Sequence, residues 1–178
     1  VTTVRGTAQC KNCTSGQYSD NPLLCFPCGP GKYSNAQGSA ECKPCELGKI
    51  SNSSSTACAA CPAGKISNNV DGLSCFPCGA GFVSTKNGST VCDACKPGKF
   101  SSTVESVECT DCHEGRFSSD YGSSTCLRCA PGSVQNKTGQ TGCNECVAGT
   151  IARTFGQSQC EPCPEMHYQP ENGSNVCL

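Results

Sequence analysis

Tryptophan is missing from the 178 residues, methionine occurs once, and hydrophobic residues reach 35% only with cysteine counted among them. A chain so poor in apolar surface cannot offset the entropy of its own ordering through burial alone. No apolar run approaches the roughly 20 residues of a membrane-spanning helix, so no membrane span is expected in this segment. Apolar residues keep no helical period over three turns, which argues against a helical core. With 13 Lys and Arg against 14 Asp and Glu, the net charge of −1 gives no electrostatic footprint for nucleic acid.

Catalytic constellations are equally scarce. The only two histidines, His113 and His167, fall in different segments, and neither has a recurring acid or nucleophile beside it. No calcium loop, phosphate-binding glycine loop or H-E-x-x-H motif occurs. The sequence therefore assigns no catalytic residue, no metal ligand and no cofactor, and the chain reads as a protein other than an enzyme.

What the chain does have is 21 cysteines and 20 glycines. Cysteine at that density marks a disulfide scaffold from an oxidising compartment, extracellular or at the cell surface. Most cysteines stand in C-x-x-C pairs. From Cys58 onward the first of each pair recurs every 17 residues, at Cys75, Cys92, Cys109, Cys126, Cys143, Cys160 and Cys177. The earlier steps, Cys10 to Cys25, Cys42 and Cys58, are 15, 17 and 16 residues. A fixed period of this size identifies a tandem array.

Residues 13–177 hold ten repeats, with boundaries near Cys25, Cys42, Cys58, Cys75, Cys92, Cys109, Cys126, Cys143, Cys160 and Cys177. No separate globular domain is expected. Residues 1–12 read as the second half of one repeat plus the start of the next, because Val1 and Gly6 precede Cys10 at the spacing of Val83 and Gly88 before Cys92. The segment is thus expected to belong to a longer array.

Within a repeat, the third residue after the second cysteine is glycine in nine of ten cases, from Gly16 to Gly149, and Met166 is the exception. Such regularity points to a left-handed backbone or a close chain approach. Two residues later all ten are apolar or aromatic, including Tyr18, Ile50, Val83, Phe100 and Ile151. Serine follows this anchor in seven repeats, Ser19 to Ser118. A second glycine stands four before the closing cysteine in six, among them Gly38, Gly122 and Gly173.

These short β-favouring segments, bounded by Gly, Asn, Ser and Pro, predict small irregular hairpins. The fold class expected is small, disulfide-rich and mostly β or irregular: an elongated rod or solenoid of hairpin-like repeats. The anchors, stacked on one another and on flanking disulfides, would form a thin spine. Seventeen residues span at most about 58 Å when extended, so a folded-back repeat rises far less than that.

The wiring that tiles best joins the second cysteine of each pair to the first of the next. That gives Cys13 with Cys25, Cys28 with Cys42, Cys45 with Cys58, Cys61 with Cys75 and Cys78 with Cys92. It continues with Cys95 to Cys109, Cys112 to Cys126, Cys129 to Cys143, Cys146 to Cys160 and Cys163 to Cys177, leaving Cys10 unpaired in this segment. Connectivity does not follow from spacing, and a nested wiring of alternate pairs would strand Cys177 instead. Tandem C-x-x-C pairs are also zinc ligands or redox motifs. The unbroken register, the odd count and the lack of a basic face weigh against both.

Sequons place N-glycosylation at Asn52, Asn87, Asn136 and Asn172, all seven or nine residues after a second cysteine, where a hairpin tip would face solvent. Asn12, between Cys10 and Cys13, is ranked below these four. The residue before the anchor is basic at Lys32, Lys49, Lys65, Lys99 and Arg116. In a stacked array these would form a stripe able to meet an acidic polysaccharide. A solvated edge that blocks strand aggregation is the favoured reading.

The unit C-x-x-C-x-x-G-x-[anchor]-S…G…C resembles the ephrin-receptor-like cysteine-rich repeat, and the first half-module of tumour-necrosis-factor-receptor repeats. CFPCGPGKYSNAQGSAEC (25–42) and CTDCHEGRFSSDYGSSTC (109–126) carry the likeness best. The resemblance implies that a disulfide closes each glycine–aromatic loop. It implies a place in receptors, adhesion proteins or surface antigens. Receptor modules alternate two kinds of unit, whereas these repeats are near-identical.

Uniformity favours an extracellular structural glycoprotein, a section of fibre, stalk or surface coat. Its expected partners are further copies of itself, in a filament or bundle, and attached glycans. The alternative is a receptor or adhesin ectodomain that binds a protein or glycan ligand.

Overall fold

The computed structural model describes residues 13–21, 24–68 and 71–178. Cys10 and Asn12 lie outside the described residues, as do Val1 and Gly6. The fold class expected from the sequence is met at the level of the repeat. Among the described residues there is no helix, and nine two-stranded antiparallel sheets follow one another along the chain. Two compact units can be distinguished: residues up to Pro77 with Lys86–Val91, and Cys78–Thr85 with Cys92–Leu178.

Each hairpin joins the anchor segment of one repeat to the two residues inside the next C-x-x-C. Lys49–Ile50 pairs with Ala59–Ala60, and Lys99–Phe100 with Thr110–Asp111. The strands are two residues long everywhere except in the first hairpin, where Gln17–Asn21 runs beside Leu24–Pro27 with a register shift. The loop closed there is shorter, a cysteine separation of 12 against 14 for most others. Proline ends several of these strands, at Pro27, Pro44 and Pro162. The ladder bond there is donated by the following cysteine (Cys28 N–H to the Gly16 carbonyl, 2.9 Å), so no donor is lost at the proline.

Ten disulfides close ten successive loops. They join Cys13–Cys25, Cys28–Cys42, Cys45–Cys58, Cys61–Cys75, Cys78–Cys92, Cys95–Cys109, Cys112–Cys126, Cys129–Cys143, Cys146–Cys160 and Cys163–Cys177. In the chain-entropy description a loop of about 15 residues closed this way restricts the unfolded chain by ~3 kcal/mol.

Backbone bonds then join each loop to the next. Between the loops that begin at Cys95 and Cys112, Gly98 N–H donates to the Ser118 carbonyl (2.8 Å) and Ser101 N–H to the Ser123 carbonyl (3.2 Å). In return Gly122 N–H donates to the Cys95 carbonyl and Cys112 N–H to the Gly98 carbonyl, both at 2.8 Å. The same four-bond pattern links the loops that begin at Cys112 and Cys129. Within each compact unit these hydrogen bonds therefore join each repeat to its neighbours, as in solenoid arrays.

The buried interior differs from the apolar spine anticipated. In each unit it is made of second cysteines, Cys28 and Cys61 in the first and Cys78, Cys95, Cys112, Cys129 and Cys146 in the second, all at 0% exposure, and of the serines that follow the anchors. Ser34, Ser51, Ser67, Ser84, Ser101 and Ser118 are all buried, and Gln135, Ala152 and Gln169 hold the same place further on. Of the anchors only Val83 and Ile151 are fully buried; most are half-buried, and Tyr168 is exposed. Eight of the ten anchors, from Tyr33 to Ile151, lie on two-residue strands, whereas Tyr18 lies on the longer first strand and Tyr168 on none. Tyr18 gains a partner across the sheet, its ring 5.8 Å from that of Phe26.

Candidate functional site

Two recurring positions of positive φ, most often glycine, shape the loops, and they do so for different reasons. Gly48, Gly81, Gly98, Gly115 and Gly132 have φ between +73° and +87°. A β-carbon on any of them would stand 2.6–2.7 Å from the carbonyl carbon of Gly88, Gly122, Gly139, Gly156 or Gly173 respectively, in the loop next but one. Backbone lies against backbone there, so no side chain fits. The second glycine also has positive φ, but an added β-carbon there meets nothing nearer than about 3.2 Å and mostly side chains, such as Ala60 beside Gly88 and Arg128 beside Gly156. Ser54 (φ 59°) and Glu105 (φ 61°) take this second position without difficulty. Met166 takes the first position with φ 68°, fully exposed, and Gly149 likewise has nothing within 4 Å of an added β-carbon.

Surface groups are held out from this frame on the short turns. Asn52, Asn87, Asn136 and Asn172 are all exposed. Two of them are also tied down: Ala63 N–H donates to Asn87 Oδ1 (2.9 Å) and Ala148 N–H to Asn172 Oδ1 (2.8 Å). In both, Nδ2 is the amide group left for a glycan.

The five basic residues before the anchors do not share one environment. Lys49 pairs with Glu46 at 2.8 Å, and Lys99 with Asp111 across its hairpin. The Lys49 hydrogen bond and charge hold the Glu46 carboxyl below its ordinary value, and Lys49 is raised in turn. Arg116 instead faces Arg128 across its sheet, and its Nη1 donates to the Cys126 carbonyl at 3.3 Å. Arg116, His113, Thr125 and Phe100 line a cleft of ≈ 290 Å³ between adjacent loops. Sequence reasoning noted Phe100 as an anchor and Arg116 as one of a stripe, but missed Thr125. The signal was present in the variation just before the closing cysteine, where Glu41 occupies the corresponding place.

His167 lies apart from His113, its Nδ1 3.1 Å from the Glu165 carbonyl oxygen. The twenty described cysteines are all bonded in disulfides, which leaves none of them as a thiolate for zinc or redox exchange. Among the described residues no three His, Cys, Asp or Glu converge on a point that could hold a metal ion, and no helix is long and apolar enough to cross a membrane.

Compared with models of known families and with curated proteins, the chain matches none. What it is follows from its own geometry: an array of tandem cysteine-rich hairpin repeats, each closed by a disulfide.

Proposed function

We propose that the chain is a section of an extracellular structural glycoprotein, a spacer in a fibre, stalk or surface coat, with no enzymatic role. The observation that carries this reading is the repetition of one backbone pattern. The same glycine and cysteine bonds that join Gly98 to Ser118 and Cys112 also join Gly115 to Gln135 and Cys129, and Gly132 to Ala152 and Cys146. A spacer needs equal units whose stiffness does not depend on a single large core, and disulfide closure supplies that. Glycans at Asn52, Asn87, Asn136 and Asn172 would coat the turns.

The finer likeness to ephrin-receptor-like and tumour-necrosis-factor-receptor repeats belongs to the second reading, a receptor or adhesin ectodomain. One feature favours it: large apolar side chains stand exposed on the turns, with Tyr121 at 69% and Phe155 at 63% exposure. Electron microscopy of the secreted protein separates the two. Extended particles, lengthening with the number of repeats and bundling with one another, support the spacer; compact monomeric particles overturn it. Treatment with a peptide-N-glycosidase, read by mass, tests the four glycans.

A further inference from the structure

The cleft between adjacent loops recurs, and its furnishing changes from one joint to the next. At one joint Tyr18 faces Gly29, Lys32 and Glu41. At another Phe100 faces His113, Arg116 and Thr125. These residues correspond one to one. Each ring is five residues after its second cysteine, each base is four after the following one, and Glu41 and Thr125 each directly precede the closing cysteine. The first cleft thus opposes a cation with a carboxylate. The second holds a guanidinium, an imidazole and a hydroxyl, with no acid among its lining residues.

Arg116 is also the basic residue of the five with the clearest surplus of charge. Its cross-strand partner is Arg128, and like charges placed directly opposite destabilise a sheet. Neither arginine forms an ion pair among the described residues, whereas Lys49 and Lys99 are each matched by an acid. The other joints lack one part or another. Where Lys99 stands, Glu108 precedes the closing cysteine and Val83 replaces the ring; where Lys65 stands, Ile50 replaces it.

We propose that this cleft binds one acidic sugar residue of a glycan. The apolar face of the sugar ring would cover Phe100, and its carboxylate or sulfate would meet Arg116 and His113. A guanidinium presents paired donors that match a carboxylate or sulfate oxygen pair. Thr125 offers a hydroxyl to the ring's own hydroxyls, and the aromatic face supplies a platform with little entropy to lose. The volume stands at the lower end for small-ligand sites, about 300 Å³ and upward, which suits one ring. An acidic peptide side chain would satisfy the arginine but leave Phe100 uncovered. The site stands independently of the spacer reading, since a structural array can carry one distinct joint.

The test is titration of the isotope-labelled, disulfide-intact protein, followed by amide chemical shifts. The probes are trigalacturonic acid, a sulfated heparin disaccharide, neutral galactotriose and a glutamate-rich hexapeptide. Shifts centred on residues 100, 113, 116 and 125 are expected with one of the two anionic sugars, and which one distinguishes carboxylate from sulfate. The neutral sugar and the peptide should bind at least tenfold more weakly. Thr125→Glu, which copies the natural Glu41, should weaken binding at least tenfold while leaving the unfolding temperature unchanged. Should that variant fold poorly, Arg116→Gln supplies the same loss, with partial recovery in Arg116→Lys. Gly29→His with Glu41→Thr should create a second site, read as new shifts around Tyr18. Several outcomes overturn the proposal: no binding of either anionic sugar, equal binding of galactotriose or of the peptide, shifts spread over Lys32 and Lys65, or full affinity in both Thr125→Glu and Arg116→Gln.

Discussion

The carbonyl group of Gly173 lies against the α-carbon of Gly132, close enough that a β-carbon on Gly132 would stand 2.6 Å from the carbonyl carbon. Gly149 has nearly the same backbone, φ +84° against +87°, yet nothing lies within 4 Å of it. The two residues therefore separate backbone strain from crowding. Gly149→Ala should cost only the strain of a left-handed alanine, about 1–2 kcal/mol. Gly132→Ala should cost that and also displace the loop that carries Gly173. Hydrogen exchange reads the difference at the Gly173 amide, which donates to the Cys146 carbonyl at 2.8 Å. Protection there should fall in Gly132→Ala and survive in Gly149→Ala; equal protection in both would remove crowding as the cause.

Ser67 offers the opposite case, a buried group whose loss should be harmless. Its hydroxyl is wholly buried and has no hydrogen-bond partner. At the corresponding place of another repeat, Ser118 Oγ bonds the Ser123 hydroxyl at 2.6 Å and the Asp120 carbonyl at 3.3 Å. Ala152 shows that alanine fits the place. Ser67→Ala should therefore leave thermal stability unchanged or raise it, because an unsatisfied hydroxyl is removed. Ser118→Ala should lose about 1 kcal/mol, the net worth of ordinary hydrogen bonds. Parallel thermal unfolding of the two variants checks both signs.

The contrast between these positions also marks what the sequence could carry. That the first glycine recurs in nine repeats and the second in six was legible as a count. The reason was not, because it needs the carbonyl of Gly173 brought to Gly132 from 41 residues away. Short hairpins followed from the turn residues and β-branched anchors. The makeup of the interior did not: serine reads as polar and exposed, yet it is buried with its backbone bonded to both neighbouring loops, as Ser101 is to Ser123 and Gly81. The basic stripe was visible at Lys32, Lys49, Lys65, Lys99 and Arg116. Its division into matched and unmatched charges depends on cross-strand register, which pairs Lys99 with Asp111 and Arg116 with Arg128.

Asn172 and Asn136 are both exposed sequon residues, but only Asn172 is fastened to the frame, by the Ala148 amide. Asn172→Ala should cost about 0.5–1.5 kcal/mol, softened because water can reach the freed amide. Asn136→Ala should stay within about 0.5 kcal/mol of the parent. A glycan on Nδ2 leaves the Oδ1 acceptor in place, so the glycosylated and enzymatically trimmed proteins should show the same Ala148 protection. Exchange at Ala148 that rises in Asn136→Ala as much as in Asn172→Ala would contradict this tether.

Removing one bridge tests both the source of order and its range. Cys112 is wholly buried, and its amide and carbonyl bond Gly98 and Gly139. Cys112→Ala with Cys126→Ala opens one loop and withdraws about 3 kcal/mol of closure. Because contacts run only between near neighbours, the damage should stay local. The Gly139 amide should lose protection, whereas the Gly38 amide, bonded to the Cys13 carbonyl at 2.9 Å, should keep it. Full reduction with a mild thiol at neutral pH should abolish protection along the whole chain, since no apolar core remains to hold any loop. Protection that survives full reduction, at Gly38 and Gly139 alike, would mean that burial and not sulfur keeps the repeats folded.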